Sequence, residues 1–166
     1  LSLLALIYRS SFAQGSELGR VDTDDGLTEF VGIEANPQAT TLTGLVVYRP
    51  NGSLIFSNAD AFSQQARELL WKRTDPPAAL LVVDCEQMAD MDVGGAETIV
   101  SLFEELRDAD VEFWLARLHG DALVTAEKAG VVEDLGEERV LPTVRAAGEM
   151  FRARYPDLGH PIAGRE

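Results

Sequence analysis

From Gly44 onward, short continuous apolar runs alternate with longer stretches whose apolar residues recur every three or four positions. The runs in GLVVY and SLIF flank Pro50-Asn51-Gly52, and an Asn-Gly pair between strand-like runs predicts a hairpin. ALLVVDC, at 79–85, has no polar alternation and is predicted to be a central strand covered on both faces. VEFWLARL, at 111–118, reads as another strand, with a weaker one at 139–141. Between these runs the period changes. Ala59, Phe62, Ala66, Leu69 and Leu70 mark a helix with Asn58 as its cap and TDPPA as its stop. Ala96, Ile99, Val100, Phe103 and Leu106 mark a second, and Ala122, Leu123, Ala126 and Ala129 a third that ends at Gly130. Val144, Ala147, Met150 and Phe151 give the inward face of a fourth.

Ahead of Gly44, residues 10–43 are rich in Gly, Asp, Thr and Asn, with VDTDDG and EANPQATT as turn material. This region reads as an extended lead-in with one short strand near 18–21. The alternation of strands with helices predicts an α/β fold: a mixed, mostly parallel central sheet of about 4–5 strands with about four helices. In such sheets ligand and regulatory sites collect at the carboxyl ends of strands. The sequence Asp90-Met91-Asp92-Val93-Gly94-Gly95 lies at one of those ends.

Composition narrows the chemistry. The 166 residues suit one domain, and 28 acidic against 14 basic residues leave a net charge of −14. A chain of that sign is repelled by nucleic acid and by anionic bilayers. Its single cysteine, Cys85, excludes an internal disulfide and lies in an apolar run, so it reads as a small buried hydrophobe. A reducing compartment is the simplest fit. Residues 3–7 are apolar and are followed by Arg9, which reads as the end of a longer apolar segment with a cytoplasmic-side charge.

For the 90–95 loop, Asp84, Asp90 and Asp92 are oxygen ligands of the type that suits Mg²⁺ or Ca²⁺, but the calcium-loop pattern is missing. The first strand also ends without the acidic pair of a phospho-receiver. No metal and no cofactor is expected. Neither GxxxxGK[ST] nor GxGxxG occurs. The amides of Val93, Gly94, Gly95 and Ala96 would nevertheless open a helix, where an anion can sit. Asp92 opposes that as an N-cap that satisfies the same amides. No serine, cysteine or threonine stands near a histidine and an acid as a triad requires, so no enzyme is expected.

Four blocks together resemble the STAS domain, and more specifically that of SulP-type anion transporters. They are LGRV at 18–21, GLVVYRPNGSLIFSNADAF at 44–62, LLVVDCEQMADMDVGGAE at 80–97, and VEFWLARLHGDALVTAEKAGVVEDLG at 111–136. The resemblance runs from about residue 18 to 155 and implies the fold of anti-sigma-factor antagonists. It implies three regions: 1–17 as the end of the last membrane helix and its linker, 18–155 as the STAS domain, and 156–166 as a flexible tail. It further implies a regulatory or assembly module at the cytoplasmic face of the membrane. Its partner would be the transmembrane part of the same sulfate (anion) transporter, with homodimers formed through the full-length protein and no nucleic acid bound. A protein partner or a weakly bound nucleotide is also implied, the nucleotide contacting Asn58, Val93, Gly94, Gly95 and Ala96. The alternative is a stand-alone partner-switching antagonist. Such proteins carry a phosphorylated serine two residues after the Asp that matches Asp92, and here Gly94 holds that position. Asp92, Val93, Gly94 and Gly95 are thus the regulatory loop without its serine.

Overall fold

The computed structural model describes residues 15–24 and 26–162. The central sheet has six strands: β1 (Ser16–Asp22), β2 (Thr28–Gly32), β4 (Leu45–Arg49), β5 (Leu80–Asp84), β6 (Glu112–Ala116) and β7 (Val140–Leu141). They lie in the order β2-β1-β4-β5-β6-β7. The pairs β4–β5, β5–β6 and β6–β7 are parallel, and β1 is antiparallel to both β2 and β4. Two further short strands, β3 (Thr41–Leu42) and β8 (Pro161–Ile162), pair antiparallel outside it. The helices are α1 (Ala59–Trp71), α2 (Val93–Asp108), α3 (Gly120–Lys128), α4 (Val131–Leu135) and α5 (Val144–Arg154). The expected mixed, mostly parallel α/β sheet is therefore present, with one strand and one helix more than the sequence pattern suggested.

Alternation along the central strands sorts their side chains onto two faces. Val46, Tyr48, Leu81, Val83, Phe113 and Leu115 meet α1 to α4. Leu45, Val47, Leu80, Val82 and Trp114 meet α5 through Val144, Ala147 and Phe151. All five residues of β5 are buried, which is why its sequence shows no polar alternation. Each large side chain so buried contributes about 1.5–3 kcal/mol relative to exposure. Met150 departs from the expected inward face of α5 and is 41% exposed.

Four local expectations are corrected. Asn51-Gly52 does not turn a hairpin. The chain continues, and Leu54 forms a parallel bridge with Met91 through Leu54 N–H to Asp90 C=O and Asp92 N–H to Leu54 C=O, both 3.2 Å. The hairpin lies earlier: β1 and β2, in the supposed lead-in, pair over five register positions. Asn58 occupies the N-cap position of α1 but its side chain does not cap it. Pro156 to Ile162, expected as part of a flexible tail, is tied down by Gly159 N–H to Thr43 C=O and Thr43 N–H to His160 C=O, 2.9 Å each. The physical reason is packing: Leu158 lies against the α5 face of the core, and β8 pairs with β3.

Chain ends of the sheet are also fixed. Gln65, in mid-α1, accepts from Gly15 N–H at 2.8 Å and donates to Gly15 C=O at 2.9 Å, while its oxygen takes the Tyr48 hydroxyl at 2.9 Å. A Cβ at Gly15 would lie 2.3 Å from the Tyr48 ring and 2.4 Å from Arg49 C=O. The expected membrane-helix remnant, residues 1–14 of the first region, lies outside the described residues. Among the described residues no helix is long and apolar enough to cross a membrane.

Candidate functional site

β5 delivers the chain to the carboxyl edge of the sheet, and the segment from Cys85 to Asp92 then leads into α2. Asp92 has extended backbone and caps α2. Its Oδ1 accepts from Gly95 N–H at 2.7 Å, its backbone C=O from Ala96 N–H at 3.0 Å, and its Oδ2 from Phe56 N–H at 3.0 Å. The N–H bonds to its carboxylate, led by the one from Phe56 and then that from Gly95, hold the Asp92 carboxyl below its usual pKa. The helix opening that an anion could have used is thus already occupied by an internal carboxylate. Asn58 is engaged as well: its Oδ1 accepts from Ile55 N–H and its Nδ2 donates to Ser53 C=O, 2.9 Å each. Asn58 shapes the turn before α1, and neither of these bonds is to Val93, Gly94, Gly95 or Ala96.

The two glycines are required by close approach. A Cβ at Gly95 would lie 2.2 Å from Leu54 C=O, so only glycine admits the Leu54–Met91 bridge. A Cβ at Gly94 would lie 2.9 Å from Phe56 Cβ. Gly94, expected from the sequence resemblance to stand in the place of a regulatory serine, has no hydroxyl and is crowded by Phe56. Thr98 cannot substitute, because its hydroxyl donates back to Gly94 C=O at 2.8 Å. Phe56 and Val93 stand out from this loop, 77% and 63% exposed. Beside them a groove of about 760 Å³ runs between α2 and α3, lined by Ala96, Val100, Thr125 and Ala129.

Of the three acids considered for a metal, Asp84 is committed elsewhere. It is fully buried at the end of β5 and holds four bonds. Its Oδ1 accepts from Arg117 Nε at 2.8 Å and from Glu86 N–H at 3.2 Å. Its Oδ2 accepts from Arg49 Nε at 2.7 Å and from Arg117 Nη2 at 2.5 Å. Arg49 ends β4, Arg117 follows β6, and Arg117 adopts φ +58° to reach inward. The hydrogen bonds Arg117 donates to Asp84 keep it more firmly protonated than usual. Above the buried acid, the exposed Glu86 carboxylate bridges Arg117 Nη1 at 2.7 Å and Arg49 Nη2 at 3.2 Å. Sequence reasoning missed this cluster, although each of three apolar runs ends in a charge. Among the described residues no cluster of acids, histidines and cysteine could hold a metal ion.

The same fold occurs in murine Slc26a9, an anion transporter, at TM-score 0.74 and 22% identity over 91% of this chain and 24% of that one. It also occurs in a putative anti-sigma factor antagonist from Thermotoga maritima, at TM-score 0.53 and 15% identity over 72% of this chain and 98% of that one. A probable sulfate transporter of Mycobacterium tuberculosis is 30% identical over 155 residues, 93% of this chain and 27% of the relative. The chain thus spans about a quarter of that relative's length. The model of the STAS domain matches residues 36–147, which contain β4 to β7, the Asp92 loop and the Asp84 cluster. This chain belongs to the STAS domain family, and its curated relatives are sulfate transporters.

Proposed function

We propose that this domain is the cytoplasmic module of a SulP-type secondary anion transporter, with sulfate as the transported ion. It would follow the membrane-spanning part of the same chain and regulate or assemble the transporter, while that part moves the ion. The observation that carries this reading is the Asp92 loop. It is capped by Asp92, with Val93 and the neighbouring Phe56 exposed, yet offers no serine at Gly94 for a phosphorylation switch. A surface of that kind suits a constitutive contact with another part of the same transporter.

The test is removal of the domain from the full-length transporter, followed by labelled sulfate uptake and surface abundance. Loss of either supports the module reading, and unchanged values for both overturn it. A stand-alone partner-switching role would instead require a phosphoacceptor, so stoichiometric phosphate incorporation with a cognate kinase and ATP would favour that role.

A further inference from the structure

We propose that Arg49 and Arg117 form a binding site for a small tetrahedral oxyanion, sulfate or phosphate, and that Glu86 is its built-in competitor. The two arginines approach from neighbouring strand ends on either side of β5. Both are oriented from below by the buried Asp84, which takes Arg49 Nε and Arg117 Nε and Nη2. Of the nitrogens Asp84 does not take, Arg49 Nη2 and Arg117 Nη1 meet one carboxylate, that of Glu86, one on each of its oxygens. Two guanidinium groups bridging one oxyanion are a common means of recognising such anions, and here each arginine offers a nitrogen that Asp84 does not take. Here the donors are held in place before any ligand arrives.

Charge shows why Glu86 controls the site. Two arginines against Asp84 and Glu86 sum to zero, so a free anion meets no net attraction while Glu86 is seated. With Glu86 withdrawn, the same groups sum to +1. Exposure makes withdrawal feasible: the Glu86 side chain is 48% exposed, whereas Arg49, Arg117 and Asp84 are 17%, 28% and 0% exposed. The most exposed member of the cluster is the one that occupies the ligand's place. The Glu86 backbone is itself anchored, its N–H on Asp84 Oδ1 at 3.2 Å and its C=O against His119 Nε2 at 3.1 Å. Glu86 also opens the segment that ends at Asp92, so an anion that displaces its carboxylate bears on the loop that caps α2. The net charge of −14 opposes any anion, which places the wild-type affinity in the millimolar range.

The site is independent of the regulatory role proposed above: domain deletion tests that role, and anion titration of the isolated chain tests the site. Sulfate, phosphate and, as a control, chloride are titrated to tens of millimolar at fixed ionic strength. Arginine Nε–H and backbone amide NMR signals are followed in the wild type and in Glu86→Gln, Arg49→Lys and Arg117→Lys. A saturable response to sulfate or phosphate, but not chloride, is expected at Arg49, Arg117 and Glu86. In Glu86→Gln it should tighten about tenfold, as removal of one competing charge at contact distance implies. In either lysine variant it should weaken by a similar factor. If neither wild type nor Glu86→Gln responds, the site does not exist. If only Glu86→Gln responds, Glu86 is a permanent ion-pair partner and the wild-type site is overturned; if chloride acts equally, the preference for a tetrahedral oxyanion is overturned.

Discussion

Replacing Gly95 by alanine tests whether the Asp92 loop is built by backbone approach. The added methyl would sit 2.2 Å from Leu54 C=O and 2.9 Å from the Leu54 carbonyl carbon, both main-chain atoms that cannot rotate aside. Relief requires the 53–56 segment to withdraw, which costs about 1–3 kcal/mol of packing strain. It also loosens the two Leu54 bridge bonds with Asp90 and Asp92, each worth about 0.5–1.5 kcal/mol. Against this, alanine improves helix propensity by about 1 kcal/mol over glycine. The net loss is then about 1–5 kcal/mol, centred on ~3, equivalent to a fall of about 10 °C in Tm for a domain of this size. Urea unfolding of Gly95→Ala beside Gly94→Ala is the assay. At Gly94 the nearest obstruction is the Cβ of the exposed Phe56, so that variant should lose markedly less. A Gly95→Ala protein as stable as wild type, or less affected than Gly94→Ala, would refute the close-approach account.

Three further outcomes follow from the same geometry. Asp84→Asn keeps the shape of the buried acid but leaves two arginines facing each other, and should lower stability by about 2–4 kcal/mol in denaturant unfolding, less than a fully enclosed ion pair because the guanidinium groups reach solvent. The depressed pKa of Asp92 means that its contribution to stability is complete above its unfolded-state pKa and is lost as pH falls through the lower folded value. The stability difference between wild type and Asp92→Asn should therefore narrow only under acid conditions, below the ordinary carboxylate value of 3.8; parallel stability curves across that range would contradict it. Titration with a guanine or adenine nucleotide should leave the amide signals of Asn58 and residues 93–96 in place, and a saturable change there would restore the nucleotide expectation.

Much of the architecture was legible because period and length agreed. The unbroken apolar run of β5 and the three- and four-residue spacing of α1 and α2 admit few other readings. The β1–β2 hairpin was not, since β2 is half-buried and its stretch is dominated by Gly, Asp and Thr. The Asn51-Gly52 turn failed for the opposite reason: local turn chemistry was clear, but a parallel bridge to Met91, distant in sequence, overrode it. Within the candidate loop, the capping role of Asp92 could be read from spacing alone. That Phe56 crowds Gly94 could not, because 38 positions separate them and only the register of β4 against β5 brings them together. The Asp84 cluster is similar. Its charges are visible at the ends of three apolar runs, but their convergence depends on strand register and on the left-handed turn at Arg117.

The Gln65 clasp on Gly15 determines where mechanical load enters the domain. Tension along the polypeptide ahead of Gly15 would be borne by two hydrogen bonds between the Gly15 backbone and the Gln65 side chain in the middle of α1 and, through the shared Tyr48 hydroxyl, by the central strand β4. The outlying hairpin of β1 and β2 is thereby shielded from being peeled away one rung at a time. A pull on this end must first open the clasp, and so is felt beside Pro50, at the start of the segment that leads to Leu54 and Phe56.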